Sequence, residues 1–192
     1  MNSMRISLIA LLAVTSASLP SVLADEYLLD DQHTSIVFAA NHFGLSNTYG
    51  MFGKYAGKFS VDMANPTAAQ FQVVIDPASL DTKSEKRDEH LRGPDFFDVK
   101  QFPRITFVST SVAPGKDDKS LNVTGELNLH GVTRQLLISM SKTGEGKGPY
   151  GDERIGFSGR FVVKRSEFGM TNMVPQIGDD VNVLISIEGI KQ

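Results

Sequence analysis

The 192-residue chain contains no cysteine and no tryptophan. Without thiols it can build neither a disulfide framework nor a thiolate metal site, and a lipid-modified N-terminal cysteine is excluded. It also lacks a basic block: 19 Lys and Arg stand against 22 Asp and Glu, a net charge of −3. A mildly acidic chain without a basic stripe argues against nucleic acid and against electrostatic docking on anionic lipid. No run approaches the roughly twenty apolar residues that cross a bilayer, so no stable membrane insertion is expected. The four histidines, His33, His42, His90 and His130, show none of the close spacings that hold a metal, and none is expected. Nucleophile motifs are missing too. Gly156-Phe157-Ser158-Gly159 is one residue wrong for G-x-S-x-G and lies in a strand-like stretch, not on a strand-to-helix elbow. Asp179-Asp180 stands at a strand start and reads as turn chemistry. On these grounds the chain is not read as an enzyme, and no cofactor is expected.

What is present begins with a leader. Arg5 supplies a positive n-region, Ile6 to Val14 a short apolar core, and Val22-Leu23-Ala24 a small-residue cleavage pattern before the acidic Asp25-Glu26. Residues 1–24 are therefore expected to be a signal peptide and 25–192 a single mature domain. Arg5 is the leader's one charged residue, so its removal takes the net charge to −4. An exported domain that does without disulfides fits a bacterial periplasm.

Through the mature chain, period-two alternation recurs between turn residues. Leu121, Val123, Gly125, Leu127 and Leu129 share one face; Ile155, Phe157, Gly159, Phe161 and Val163 share another; Val181, Val183, Ile185 and Ile187 repeat the pattern. Residues 49–61 place Tyr49, Met51, Gly53, Tyr55, Gly57, Phe59 and Val61 in one phase. Eight strands are expected, near 34–42, 50–61, 68–76, 103–112, 119–130, 133–143, 153–164 and 180–190. One apolar and one polar face on each strand implies antiparallel pairing around a single interior. Eight such strands suit a closed barrel, with a two-sheet sandwich as the alternative. Gly53, Gly57, Gly125 and Gly159 fall on apolar faces, where they either leave space inside or mark bends.

One segment departs from the pattern. Residues 83–92 read as a short charged helix, with Thr82 and Glu85 as a capping box and Gly93-Pro94 as a stop. Only Leu91 in it is strongly apolar. It is either a solvated connector or a lid beside the barrel.

The order of motifs along the chain resembles the YceI-like proteins, bacterial lipocalin-like barrels that bind polyisoprenoids. The resemblance covers nearly all of residues 26–190. It is carried by Asp31-Gln32-His33, Gly50-Met51-Phe52-Gly53-Lys54-Tyr55, His90-Leu91-Arg92-Gly93-Pro94-Asp95-Phe96-Phe97, His130-Gly131-Val132-Thr133, Arg165-Ser166-Glu167-Phe168-Gly169 and Asp180-Val181-Asn182-Val183. It implies an extended eight-stranded antiparallel barrel in the periplasm, threaded by a prenyl chain, with the charged helix near its mouth.

On this basis the chain is expected to carry or sequester an isoprenoid lipid, a quinone or a polyprenyl species. Phe38, Phe52, Phe59, Phe71, Phe107, Phe157 and Phe161 would line the tunnel beside Gly125 and Gly159, and Arg87, His90 and Arg165 would meet a polar head. Two rivals stand: an enzyme acting on a lipid head group with His90 or His130 as base, and a solidly packed barrel serving as a protein-interaction module. A homodimer is left open. If the leader is cleaved as read, N-terminal sequencing of protein recovered from its own compartment finds Asp25 first; an intact Met1 would contradict export.

Overall fold

The computed structural model describes residues 24–192; the leader expected over 1–24 lies almost wholly outside them. Eleven strands follow one another: β1 Asp25–Leu29, β2 Ser35–His42, β3 Ser46–Phe52, β4 Tyr55–Val61, β5 Gln70–Ile75, β6 Leu80–Asp81, β7 Ile105–Pro114, β8 Ser120–Leu129, β9 Val132–Lys147, β10 Glu153–Lys164 and β11 Ile177–Lys191. The helix α1, Glu85–Arg92, stands between β6 and β7.

These strands make eight staves. Along β11, residues 181–186 pair with β2 and residues 189–191 with β1, so β1 and β2 lie end to end as one bent stave. In the same way β3 and β4 form a second, and β5 and β6 a third. The ring runs β1-β4-β5-β7-β8-β9-β10-β11 and returns to β1, every pairing antiparallel. The fold is thus a closed eight-stranded lipocalin-like barrel, and closure removes the exposed edges that a sandwich would leave.

The bends correct one expectation. Gly50 and Phe52 are buried while Tyr49 and Met51 are exposed, so the phase expected across 49–61 holds for β4 and is inverted in β3. The switch occurs at Gly53 and Lys54, whose amides donate to the Ser79 carbonyl and hydroxyl at 3.1 and 2.9 Å. This backbone break shifts the register by one residue, which flips every following side chain to the other face. A tyrosine bridges the neighbouring break: the Tyr55 hydroxyl donates to the Thr34 carbonyl.

The glycines on the inner faces do not leave room. A Cβ on Gly125 would strike the Phe107 ring and come 2.6 Å from the Val108 carbonyl oxygen; on Gly159 it would come 2.9 Å from the Ser139 carbonyl oxygen. Likewise the Phe38 ring covers Gly50 and the Phe59 ring covers Gly189. Gly50, Gly125 and Gly189 let aromatic rings lie across the sheet, while Gly159 lets β9 backbone approach closely.

Polar anchors hold the helix. The buried Asp88 accepts from the Thr82 amide at 2.9 Å and from its hydroxyl at 2.5 Å. Arg92 donates to the Ala78 and Leu80 carbonyls, both at 2.8 Å, tying α1 back to the third stave. The expected capping box does not form. Ser84 is the N-cap and makes no side-chain bond, because Thr82 is engaged by a carboxylate one turn inside the helix. A charge-assisted bond outcompetes a neutral cap, and the helix N-terminus favours the acid.

If this packing account holds, Gly125→Leu lowers the thermal unfolding midpoint by overpacking worth about 1–3 kcal/mol. Unchanged stability in a melting experiment would mean that free volume lies beside Gly125.

Candidate functional site

The alternation of the staves turns a continuous apolar surface inward, and that surface is incompletely filled. An internal cavity of about 190 Å³ runs between the staves. Its wall comes from period-two positions: Ile36 and Phe38 of β2, Val73 of β5, Phe107 of β7, Leu136 of β9, Phe161 of β10, and Val183 and Ile185 of β11. Leu91, Phe96 and Phe97 enter it from α1 and the loop that follows, Met170 from the segment before β11, and Ile177 from the first position of β11. We call this the upper end.

The lower end is closed by aromatic packing. Tyr27 stacks on Phe59 with ring centroids 5.2 Å apart, Phe59 stacks on Phe71 at 5.4 Å, and Phe157 meets Phe59 and Phe71 edge-on at 6.0 and 6.2 Å. Phe157 is fully buried. These offset and T-shaped contacts suit the ring quadrupoles and pack the lower end with aromatic side chains.

Arg165 is the one charged side chain among the lining residues. Only 4 % exposed, it donates through Nη1 to the Met170 carbonyl at 2.8 Å, through Nη2 to Ile177 at 2.9 Å and through Nε to Gly178 at 3.0 Å. Its guanidinium stands 5.9 Å from the Phe96 ring centroid. Burial draws its pKa below the ordinary value, with Asp179 opposing, yet a guanidinium stays protonated at any physiological pH. Three carbonyls therefore stake a cation at the upper end of an apolar space.

The expected site residues divide. Phe38, Phe52, Phe71, Phe107 and Phe161 line the cavity, and so does Arg165. Phe59 and Phe157 belong to the packed floor. Gly125 and Gly159 sit under neighbouring side chains and backbone and line nothing. Arg87 is exposed and turned back on Thr82, donating to its hydroxyl at 2.7 Å and its carbonyl at 2.6 Å. His90 is exposed and pairs with Asp95 at 2.9 Å. Neither reaches the cavity. The expectation overlooked the aliphatic share of the wall, Ile36, Leu136, Val183 and Ile185. They alternate along their strands as the aromatic lining residues do.

The chain matches known proteins over most of its length. Residues 27–189 match the YceI-like domain. The chain belongs to the YceI-like family. A UPF0312 protein of Ectopseudomonas mendocina is 39% identical over 172 residues, 88% of this chain and 90% of the relative. Among solved structures, Burkholderia cenocepacia BcnA superposes with a TM-score of 0.77 at 24% identity, covering 83% of this chain and 98% of that one. A polyisoprenoid binding domain from Saccharophagus degradans, implicated in plant cell wall breakdown, gives 0.68 at 18% identity over 88% of this chain and 99% of its own. At those identities the two structures establish a shared fold.

Outside its cavity, this YceI-like barrel has a second cluster of charge at the break between β1 and β2. Asp30, 7 % exposed, accepts from His33 Nδ1 at 2.7 Å, the Gln32 amide at 2.9 Å and Arg154 Nη1 at 2.5 Å. The same Nη1 donates to Glu188 at 2.6 Å, and Arg154 Nε reaches Asp152. Asp30, His33 and Glu188 bring potential metal ligands within 4.8 Å of one another. The Arg154 guanidinium already lies against both carboxylates and supplies the positive charge that such a group attracts. It welds β10 and β11 to the turn that joins the halves of the first stave.

The hydrogen bond from His33 outweighs desolvation and, with Gln32 and Arg154, holds the Asp30 pKa at about 2. The same bond raises that of His33. Asp30 thus contributes stability above the ordinary carboxylate value of roughly 4, and loses it as pH falls toward its own. His33 contributes below roughly 6.5 and loses its contribution as pH rises through its raised pKa. Accordingly, His33→Ala lowers the melting temperature at about pH 5 and has much less effect at about pH 9. Equal losses at both would mean that the imidazole acts by packing alone.

Proposed function

We propose that the chain is an exported carrier or sequestering protein that holds an isoprenoid lipid, a quinone or a polyprenyl species, in the barrel interior. The single observation that carries this reading is the blind apolar cavity whose one charged lining residue is Arg165. Branched and aromatic walls of this kind take an apolar tail out of water without offering it any specific polar contact. At ~0.8 kcal/mol per buried CH₂, ten buried methylene equivalents supply about 8 kcal/mol, roughly micromolar affinity before ordering costs. The polyisoprenoid binding named for the Saccharophagus degradans domain, which shares the fold, supports the same ligand class.

Arg165 is the group suited to the ligand's polar end. It has five N–H donors, of which the three carbonyls engage three. A phosphate or quinone oxygen arriving at the upper end of the cavity would find a desolvated cation already oriented. An acid–base reaction on a head group, the rival weighed for His90 and His130, draws no support from geometry. His130 Nδ1 bonds the Phe168 carbonyl at 2.9 Å, and neither histidine lines the cavity. Periplasmic residence is part of the proposal and rests on the leader.

The test is native mass spectrometry of mature protein taken from its own compartment, with Val183→Trp alongside. Val183 lines the cavity from β11, so an indole there is directed at ligand space. Wild type carries an isoprenoid mass; the variant loses it, and its ligand-free melting temperature stays level or rises. An empty wild type that also ignores added prenyl chains, or a variant that binds them equally well, would refute the reading.

A further inference from the structure

We propose that the upper rim carries a membrane-docking lip, formed by the Phe43–Leu45 turn and the Met173–Val174 stretch, which seats reversibly in the interface of an uncharged bilayer. The proposal takes its purpose from the carrier reading, while the docking itself rests on the rim.

Four large apolar residues project there: Leu45 is 85 % exposed, Phe43 51 %, Met173 41 % and Val174 37 %. They form one patch, because the Phe43 amide donates to the Gln176 carbonyl at 2.7 Å and the Ile177 amide to the Met173 carbonyl at 2.8 Å. Phe43 and Met173 hold φ of 53° and 56°, a region that bulky residues rarely enter. Neither side chain is fully buried in return, although the Phe43 ring meets His42 edge-on with centroids 4.8 Å apart.

The charge pattern names the partner. No Lys, Arg, Asp or Glu occurs between Asp31 and Lys54, nor between Glu167 and Asp179. Both lip segments fall inside these uncharged stretches. Elsewhere on the rim, residues 83–104 carry six basic and five acidic side chains, which nearly cancel. Such a rim offers apolar tips to insert and no net charge for anionic headgroups to attract.

Position supplies the rest. Ala40 and Ile177 line the cavity and lie within a few residues of Phe43 and Val174. The aromatic floor blocks the other end, so a chain leaving a bilayer past this lip would enter the cavity with little exposure to water. A second copy of the chain is the rival occupant. Two narrow projecting turns suit insertion better than the broad, flat burial that a stable dimer needs.

Flotation of the mature chain with neutral phosphatidylcholine vesicles, and with vesicles containing phosphatidylglycerol, tests this. Wild type is expected to float equally with both and to resist release by salt. Leu45→Asp, at an exposed tip, is expected to keep the wild-type melting temperature and lower vesicle partitioning at least about tenfold. Titration with a prenyl alcohol in solution should be unchanged in that variant, while transfer of a fluorescent prenyl probe from vesicles slows. Wild type that stays in the aqueous phase overturns the lip, as does Leu45→Asp floating like wild type or binding confined to anionic vesicles and reversed by salt. So does sedimentation showing a dimer that Leu45→Asp dissociates. Normal flotation by a protein that binds no prenyl alcohol would leave the lip standing and overturn the carrier reading.

Discussion

Closure of the barrel depends on β11 serving three partners. One edge pairs with β10 through eleven consecutive residue pairs, from Arg154 with Ile190 to Lys164 with Asp180. The other edge is shared by β1 and β2. Sharing an edge forces a break in the stave that β1 and β2 make, and the break needs its own fastening. That fastening is the ion cluster of Asp30, Arg154 and Glu188, together with the Tyr55 hydroxyl on the Thr34 carbonyl. Surface ion pairs contribute little as a rule. Here the carboxylate of Asp30 is buried and bonded from three sides, so loss of the Arg154 guanidinium would remove its one permanent countercharge.

Within the closed ring, interior volume is divided unequally. Below, aromatic rings stack and lie over glycines until no space is left. Above, aliphatic and aromatic side chains pack against one another around a cavity that they leave unfilled, and Leu91, Phe96 and Phe97 reach it from α1 and its following loop. The helix could not stay there by hydrophobic burial, having only Leu91 to give. Asp88 and Arg92 keep it in place through backbone groups of the third stave.

Much of this was legible in the chain. The strand at 153–164 is found where alternation placed it, because nothing interrupts its period. Alternation likewise marked Phe161 as inward, and Phe38, Phe71 and Phe107, expected in the tunnel as aromatics, line the cavity beside it. The inverted phase of β3 was hidden, because the break at Gly53 is fixed by Ser79, a strand away in the chain. The inner glycines were ambiguous for a related reason: periodicity tells which face a residue shares, but not which ring lies across it. Arg87 and His90 were chosen for their charge, whereas the cavity takes only Arg165, whose partners are carbonyls that leave no mark in a sequence. The family, by contrast, was readable from the order of short motifs.

The stack of Tyr27, Phe59 and Phe71 closes one end of the tube, and a tube closed at one end has a depth. Depth is a gauge. An apolar chain shorter than the tube leaves wall uncovered, one that matches it is wholly withdrawn from water, and a longer one keeps its surplus outside, where each further carbon adds nothing to affinity. For an apolar chain held as proposed, the aromatic floor would thus make the cavity a measure of length.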